Sequence, residues 1–377
     1  MTAKTMASGS GAAVAEEARL LALGAGHEEV RAVWRPESGL RAIIAIHSTT
    51  LGPSLGGTRF RPYATVGDAV TDVLRLSRAM TYKAAVAGLD MGGGKAVLIG
   101  DPATSRTDAL IGDYARFVDT FGGRYLTAED VGTTQADMDL IGELTPFVRG
   151  RSASLGGSGD PSPATAFGVV RAIEATARAL WGSPSLEGRH VAINGVGKVG
   201  RTLAELCAER GARLTIADVS PAAIAAALSS VEADVVQPGA IHAVTCDVYA
   251  PCALGSALND QTVPELACEA VCGAANNQLD TAETEGALQA RGITYVPDYV
   301  ANAGGIINIA YETGAYDAAA AHDHVGRIYD TVSELFETAA RSGEHLSVLA
   351  DRMAEARIAD ARAAVGELRE LGQPGVS

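Results

Sequence analysis

The sequence predicts an α/β protein of two domains separated by a cleft, and three observations lead there. At about 100–200 residues per domain, a chain of 377 residues holds two. From about residue 190 onward, strand-like and helix-like segments alternate, which is the pattern of a parallel sheet covered by helices. Between the halves lies Gly150–Pro163, GRSASLGGSGDPSP, a run of Gly, Ser and Pro that suits a hinge or a functional loop.

Taken in order, residues 29–48 read as two strands around the turn Pro36-Glu37-Ser38-Gly39. Residues 66–82 place Val66, Ala69, Val70, Val73, Leu74 and Met80 at helical spacing. The glycine-rich run from Gly88 to Lys95 is followed by a short apolar strand, AVLIG. Residues 107–121 and 165–180 read as helices. HVAINGVG, RTLAELCAERG and RLTIADV then alternate strand, helix, strand, and CDVYAP, EAVCGAA and ITYVPDYVAN are further strand-like runs. The tail from about 322 to 370 is helical and amphipathic. This gives a first domain over 1–149 and a second over 160–340, with helices of about 341–377 folding back on the first.

Composition excludes several classes of function. The chain is 47% hydrophobic and 20% charged, with a net charge of -15. It lacks the cationic footprint that nucleic acid or an anionic membrane surface requires. It has no apolar run of the roughly 18 residues that span a bilayer. MTAKTMASGSGAAVAEEARLLALG has no signal-peptide layout and reads as a tail leading into an Ala-rich helix. Five cysteines, an odd number without Cys-x-x-Cys, point to a reducing, cytoplasmic setting. Cys246, Cys252, Cys268 and Cys272, with His242, do not have zinc-knuckle spacing and read as buried thiols, so no metal is expected.

Gly195-Val196-Gly197-Lys198-Val199-Gly200 follows an apolar strand and opens a helix. The first glycine permits the turn, the second lets a pyrophosphate approach, and the third lets helix and strand pack closely. Asp218, 18 residues past Gly200, ends the next strand. An acid there accepts ribose hydroxyls and repels a 2′-phosphate, which favours NAD over NADP. The second domain is therefore a Rossmann-type dinucleotide-binding domain.

Of 30 basic residues only four are lysines, leaving 26 arginines. Two of the four, Lys83 and Lys95, flank one glycine-rich segment. Arginine cannot lose its proton near neutral pH, whereas a buried lysine beside another cation can. A site that needs a neutral amine would explain their survival; spacing alone leaves two solvated lysines as the alternative.

At this point the residues resemble a known family. LGPSLGGTR (51–59), MTYKAAVAGLDMGGGKAV (80–97), GGRYLTAEDVGT (122–133), GGSGDPSPATAFGV (156–169), GVGKVG (195–200), APCALG (250–255), GAANNQL (273–279) and PDYVANAGG (297–305) are similar to motifs of the NAD-dependent glutamate/leucine/phenylalanine/valine dehydrogenases. The likeness covers about residues 27–365 and is strongest to the valine and leucine dehydrogenases. The resemblance implies that the first domain binds substrate and oligomerises. It implies reversible oxidative deamination of a branched-chain L-amino acid to its 2-oxo acid and ammonia, in a homodimer or homo-octamer.

The resemblance also assigns roles. Lys83, helped by backbone at Gly56 and Gly57, binds the substrate carboxylate. Lys95 is the catalytic lysine and Asp130 its acidic partner. Asn302 orients the substrate. Thr165, Ala275, Asn276 and Asn277 line the nicotinamide side. Leu55, Ala128, Ile306 and Ile309 surround the substrate tail. Isoleucine at the last two places, where branched-chain members carry valine, narrows the pocket at about 1–3 kcal/mol per methylene. Tyr311 also departs, because an acid commonly stands there.

Lys95, kept neutral by burial and by Lys83, would activate water against an iminium carbon while Asp130 shuttles protons. Three readings compete: the same chemistry on aromatic or non-standard amino acids, a 2-hydroxy-acid dehydrogenase, and a non-catalytic NAD-binding regulator. The lysine cluster disfavours the second, and the intact Lys83, Lys95 and Asp130 set disfavours the third.

Overall fold

The structure is a computed structural model describing residues 26–253, 257–281, 283–312 and 314–370. The N-terminal tail and Ala-rich helix read from the sequence lie outside the described residues. The chain divides into two compact units. One comprises residues up to Gly159, Glu312–Tyr316 and the chain from Glu355; the other comprises Asp160–Tyr311 and Asp317–Ala354.

The first unit holds a five-stranded sheet. Strands β1 (Glu29–Arg35) and β2 (Leu40–Ser48) form a hairpin whose turn ends at Gly39, with φ +76°. They are followed by β3 (Ser54–Arg61), helix α1 (Val66–Val86), β4 (Gly92–Ile99), α2 (Asp108–Asp119), β5 (Tyr125–Glu129) and α3 (Gln135–Gly142). The sheet order is β1-β2-β4-β3-β5. The β1–β2 and β2–β4 pairs are antiparallel, and β3 is parallel to both β4 and β5. Thr65 and Asp68 form a capping box that starts α1, and Thr134 and Asp137 do the same for α3.

Alternation along the strands divides the side chains between two cores. Val30, Ile43, Ala45 and Val97 pack with Ala69, Val70 and Val73 of α1. Ile44, Phe60 and Leu98 pack on the opposite face with Ile111, Tyr114 and Met138 from α2 and α3.

The strand read from AVLIG starts earlier than the sequence reading placed it, at Gly92. A Cβ on Gly92 would stand 2.0 Å from the Ser48 carbonyl oxygen, one on Gly93 2.1 Å from the Thr81 nitrogen, and one on Gly94 2.8 Å from the Tyr125 ring. Neighbouring chain already fills the space a side chain would need, so close packing dictates these glycines.

The second unit is built on α4 (Ser162–Trp181), β6 (His190–Asn194), α5 (Lys198–Ala208), β7 (Arg213–Ala217), α6 (Pro221–Leu228), β8 (Asp234–Val235), β9 (Cys246–Pro251), β10 (Cys268–Val271), α7 (Glu283–Ala290) and β11 (Thr294–Tyr295). Helices α8 (Gly304–Ala310), α9 (Ala318–Gly326), α10 (Ile328–Ser342) and α11 (Leu346–Glu370) follow. The sheet order is β11-β10-β9-β6-β7-β8, parallel throughout. Strand order therefore reverses between β6 and β9, and a sheet of this type binds its ligand beyond the strand ends at that reversal. ITYVPDYVAN is strand only at Thr294–Tyr295, and Pro297 then starts a helical turn over Asp298–Ala301.

The unit boundaries depart from the sequence reading in two places. Residues 150–159 belong with the first unit because its acids hold them: the Glu312 carboxylate accepts from Gly150 N at 3.0 Å and Ser158 N at 2.7 Å, and Asp139 accepts from Ser152 N at 2.8 Å. Residues 341–354 stay with the second unit, where Tyr299 donates to Asp351 at 2.7 Å. The chain from Glu355 does join the first unit, through Tyr82 to Glu355 at 2.9 Å and Arg357 to Asp90 at 2.9 Å.

Among the described residues, no helix is long and apolar enough to cross a membrane. Cys207, Cys246, Cys268 and Cys272 are buried thiols, Cys252 is only half-buried, and burial pushes the Cys246 thiol up to about 12.

Candidate active site

Lys95 lies in the middle of β4, opposite Ala45 of β2. Its side chain falls on the sheet face covered by α1, because it alternates in step with Val97. Lys83 is half-buried in the last turn of that helix, two residues beyond the Thr81 backbone that presses on Gly93. The helix–strand contact thus brings the two lysine-bearing segments together.

Asp130 follows β5. Its carboxylate Oδ2 lies 2.5 Å from Lys95 Nζ, and the two side chains are only 17% and 8% exposed. Gly57 makes this approach possible: a Cβ there would stand 2.8 Å from the Asp130 Cβ. The main chain of Asp130 is fixed in a turn by Thr133, whose hydroxyl accepts from Asp130 N at 3.0 Å and donates to the Thr58 carbonyl at 2.9 Å. Thr134, not Asp130, caps the helix that follows, so the Asp130 carboxylate is left to the lysine.

Arg59 Nε stands 3.4 Å from the same Oδ2. Burial pushes the Asp130 carboxyl up, but Lys95 and Arg59 outweigh burial and hold it below the ordinary carboxylate range. The β3–β4 ladder skips Gly56 and Gly57, whereas β5 pairs with both. Leu55 is 0% exposed. Ala128, opposite Gly57, is buried as well.

In the second unit the glycine turn stands where strand order reverses. Gly195 has φ +96°, and a Cβ on it would stand 2.7 Å from Ala253 N beyond β9. A Cβ on Gly200 would meet the Gly195 carbonyl at 1.9 Å. A Cβ on Gly197 would meet nothing within 4 Å, and no side chain caps α5 there. Lys198 is 75% exposed and pairs with Asp160 at 3.2 Å, Val199 is half-buried and Val196 is buried. Asp218 accepts from Val196 N and Ser220 N, both at 2.8 Å, and so ties the turn to the end of β7. Each carboxylate oxygen retains acceptor capacity beyond that bond.

The Asn302 side chain donates to Asn276 Oδ1 at 2.7 Å and to the Ala274 carbonyl at 3.0 Å. Asn277 adopts φ 52°, and Ala275 N donates to Pro251 O at 2.9 Å. Thr165 lies where a Cβ on Gly305 would sit, 2.7 Å from its hydroxyl. Ile306 is buried and Ile309 half-buried on α8, and Tyr311 beyond it hydrogen-bonds His324 at 3.0 Å.

Residues 27–146 match the model of the Glu/Leu/Phe/Val dehydrogenase dimerisation domain. Residues 156–227 and 221–366 match that of glutamate/leucine/phenylalanine/valine dehydrogenase. The chain is 48% identical to leucine dehydrogenase of Geobacillus stearothermophilus, over 90% of this chain and 92% of that enzyme. It is 49% identical to valine dehydrogenase of Streptomyces virginiae, over 89% and 95% respectively. The crystal structure of L-tryptophan dehydrogenase from Nostoc punctiforme superposes with a TM-score of 0.80 at 40% identity, covering 91% of this chain and 99% of that one.

The chain belongs to the glutamate/leucine/phenylalanine/valine dehydrogenase family.

As a member it is a nicotinamide-dinucleotide-dependent amino-acid dehydrogenase. The residues fit that cofactor: open space at Gly197 and the uncapped N–H groups of α5 are what a pyrophosphate requires. Two residues that shape this region escaped the sequence reading. Arg59 ends LGGTR and passes for an ordinary strand arginine until Asp130 is seen beside it. Glu312, one place after Tyr311, is the buried acid that holds the glycine-rich stretch 150–158. Nothing in local spacing marks either one.

Proposed function

We propose that the chain catalyses reversible, NAD-dependent oxidative deamination of a branched-chain aliphatic L-amino acid to its 2-oxo acid and ammonia. The observation that carries this reading is the Lys95–Asp130 contact of 2.5 Å in a largely buried setting. Such a pair can exchange protons with a substrate while excluding bulk water.

Lys83 holds the substrate carboxylate as a point cation, aided by main chain at Gly56 and Gly57 where the ladder lapses. Gly195–Gly200 and Asp218, with Thr165 and Asn276, hold the dinucleotide. When bound, it supplies the two-electron oxidant that accepts the Cα hydride. At the imine stage Lys95, as the amine, takes a proton from the water attacking the carbon. Asp130 keeps the resulting Lys95 ammonium in place, Lys95 returns that proton to the departing nitrogen, and Lys95 then takes up the hydroxyl proton as the carbonyl forms. One water is consumed, the C–N bond breaks, and ammonia and a 2-oxo acid leave.

NAD is favoured over NADP because Asp218 directly follows β7 and Val219 and Ser220, not arginine, come after it. The branched-chain preference rests on the leucine and valine dehydrogenases at 48% and 49% identity. An aromatic substrate is the second reading, favoured by the likeness to the tryptophan enzyme. A homo-oligomer, dimer or octamer, accords with the dimerisation-domain match, and a cytoplasmic setting with the free cysteines.

The test is NADH formation with valine, leucine, isoleucine, phenylalanine and tryptophan, each with NAD and NADP. The reading expects the largest kcat/KM with an aliphatic substrate and NAD. A larger value with either aromatic overturns the substrate class, and no turnover with any overturns the activity.

A further inference from the structure

Arg59 is 14% exposed and bridges two carboxylates. Its Nε faces Asp130, while its terminal nitrogen lies 3.1 Å from Oδ2 and 3.5 Å from Oδ1 of Asp72 on α1. Asp72, equally buried, also accepts from the Tyr63 hydroxyl at 2.8 Å and faces Arg75 at 3.4 Å. Asp72, Arg59, Asp130 and Lys95 therefore form a row of alternating charges on α1, β3, the end of β5 and β4. The Arg59 guanidinium hydrogen-bonds Asp72, whereas its Nε makes a charge contact and no hydrogen bond with Asp130.

We propose that Arg59 is a positioning residue for the Asp130–Lys95 pair: it holds the shared carboxylate oxygen toward the lysine and sets the pH at which the pair gives up its proton. The proposal rests on the reading of Lys95 and Asp130 as the proton-transfer pair. Arg59 touches neither substrate nor cofactor in this role.

The direction of the effect follows from charge. Arg59 draws on the same Oδ2 as Lys95 and so weakens the hold of that oxygen on the lysine's proton. Without the guanidinium, Oδ2 acts on Lys95 alone, and the pair keeps its proton to higher pH. Asp72 acts on the far side of Arg59 and partly neutralises it. Without that acid, Arg59 acts on the pair at full charge, and the pair gives up its proton at lower pH. A purely structural strut between α1 and β5 would not produce opposite signs.

The experiment compares the full chain with Arg59→Met, Arg59→Lys and Asp72→Asn, measuring NADH formation against pH at saturating amino acid and NAD. Arg59→Met is expected to lower kcat roughly tenfold or more near neutral pH, with KM within about twofold, and to move the acid limb of the kcat profile up by roughly one pH unit. Arg59→Lys keeps the charge and returns the limb toward its native position. Asp72→Asn moves the limb the other way, by less. Folded variants whose limbs stay put, or all move in one direction, overturn the proposal.

Carbon-13 NMR titration of the Asp130 carboxyl reads the same contact without turnover. Its midpoint should rise in Arg59→Met, or in Arg59→Gln if the methionine variant does not fold, and an unmoved midpoint overturns the proposal. A native chain that titrates as described yet makes no NADH would sink the deamination reading while leaving this contact standing.

Discussion

GGGK in the first unit and GVGKVG in the second are both glycine-rich and both carry a lysine, yet they are built for opposite ends. At Gly92, Gly93 and Gly94 the protein itself occupies the place of each missing side chain. At Gly197 that place is open. The first segment is a strand pressed between α1 and the rest of its sheet, and it buries its lysine against Asp130. The second is a turn opening a helix, and its lysine is 75% exposed. Glycine thus serves close packing in one region and access for a ligand in the other. Each lysine follows suit, buried beside Asp130 in one and solvated in the other.

The largest expected effect would break the comparison at its lysines. Lys95→Ala should lower kcat by about 10²–10⁴ while NADH still binds, as read by nucleotide fluorescence. Lys198→Ala should leave kcat within about twofold, because its exposed pair with Asp160 contributes little. Equal losses in the two variants would erase the distinction.

Next come the glycines. Gly93→Ala forces a methyl group into the Thr81 backbone and should destabilise the fold by roughly 1–3 kcal/mol or more, seen as a lower Tm. Gly197→Ala should leave Tm unchanged and raise the NADH Kd severalfold, because the methyl group enters space a pyrophosphate needs. A drop in Tm at Gly197, or none at Gly93, would reverse the assignments.

A smaller effect is expected in the glycine-rich stretch before α4. A Cβ on Gly157 would stand 2.2 Å from the Arg151 carbonyl oxygen, so Gly157→Ala should change kcat and KM together. Unchanged kinetics would remove this stretch from any hinge role.

The smallest concerns acid stability. Burial, with His27 and Arg78 adding to it, lowers His47 to about 4 from its ordinary 6.5. Between those values the unfolded chain binds a proton that the folded chain refuses, so stability falls as pH drops through the window. Urea midpoints should show that slope, and His47→Gln should flatten it. An equal slope in both proteins would acquit His47.

Most of the second unit was legible because its signals are local. A strand, a glycine turn and a helix occupy consecutive residues, and β6, α5 and β7 stand close to where their apolar patterns place them. ITYVPDYVAN misled because β-rich composition outweighed Pro297, which starts a helical turn there. In the first unit only AVLIG read as strand, although β4 starts at Gly92, since glycine weakens strand propensity and its packing reason lies on other elements.

Lys83, Lys95 and the glycine turn could be singled out from residue type and motif alone, because lysine is so rare in this chain and because strand, turn and acid follow at set spacing, whereas Asp130 came only from the family resemblance. Only the tertiary structure could decide how closely Lys95 meets Asp130, that Arg59 faces the same oxygen, that Glu312 fastens residues 150–158, and that Leu55 is buried. Those facts depend on strand pairing and helix packing between segments far apart in the chain. Local periodicity carries which face a residue takes, but not which distant residue waits on that face.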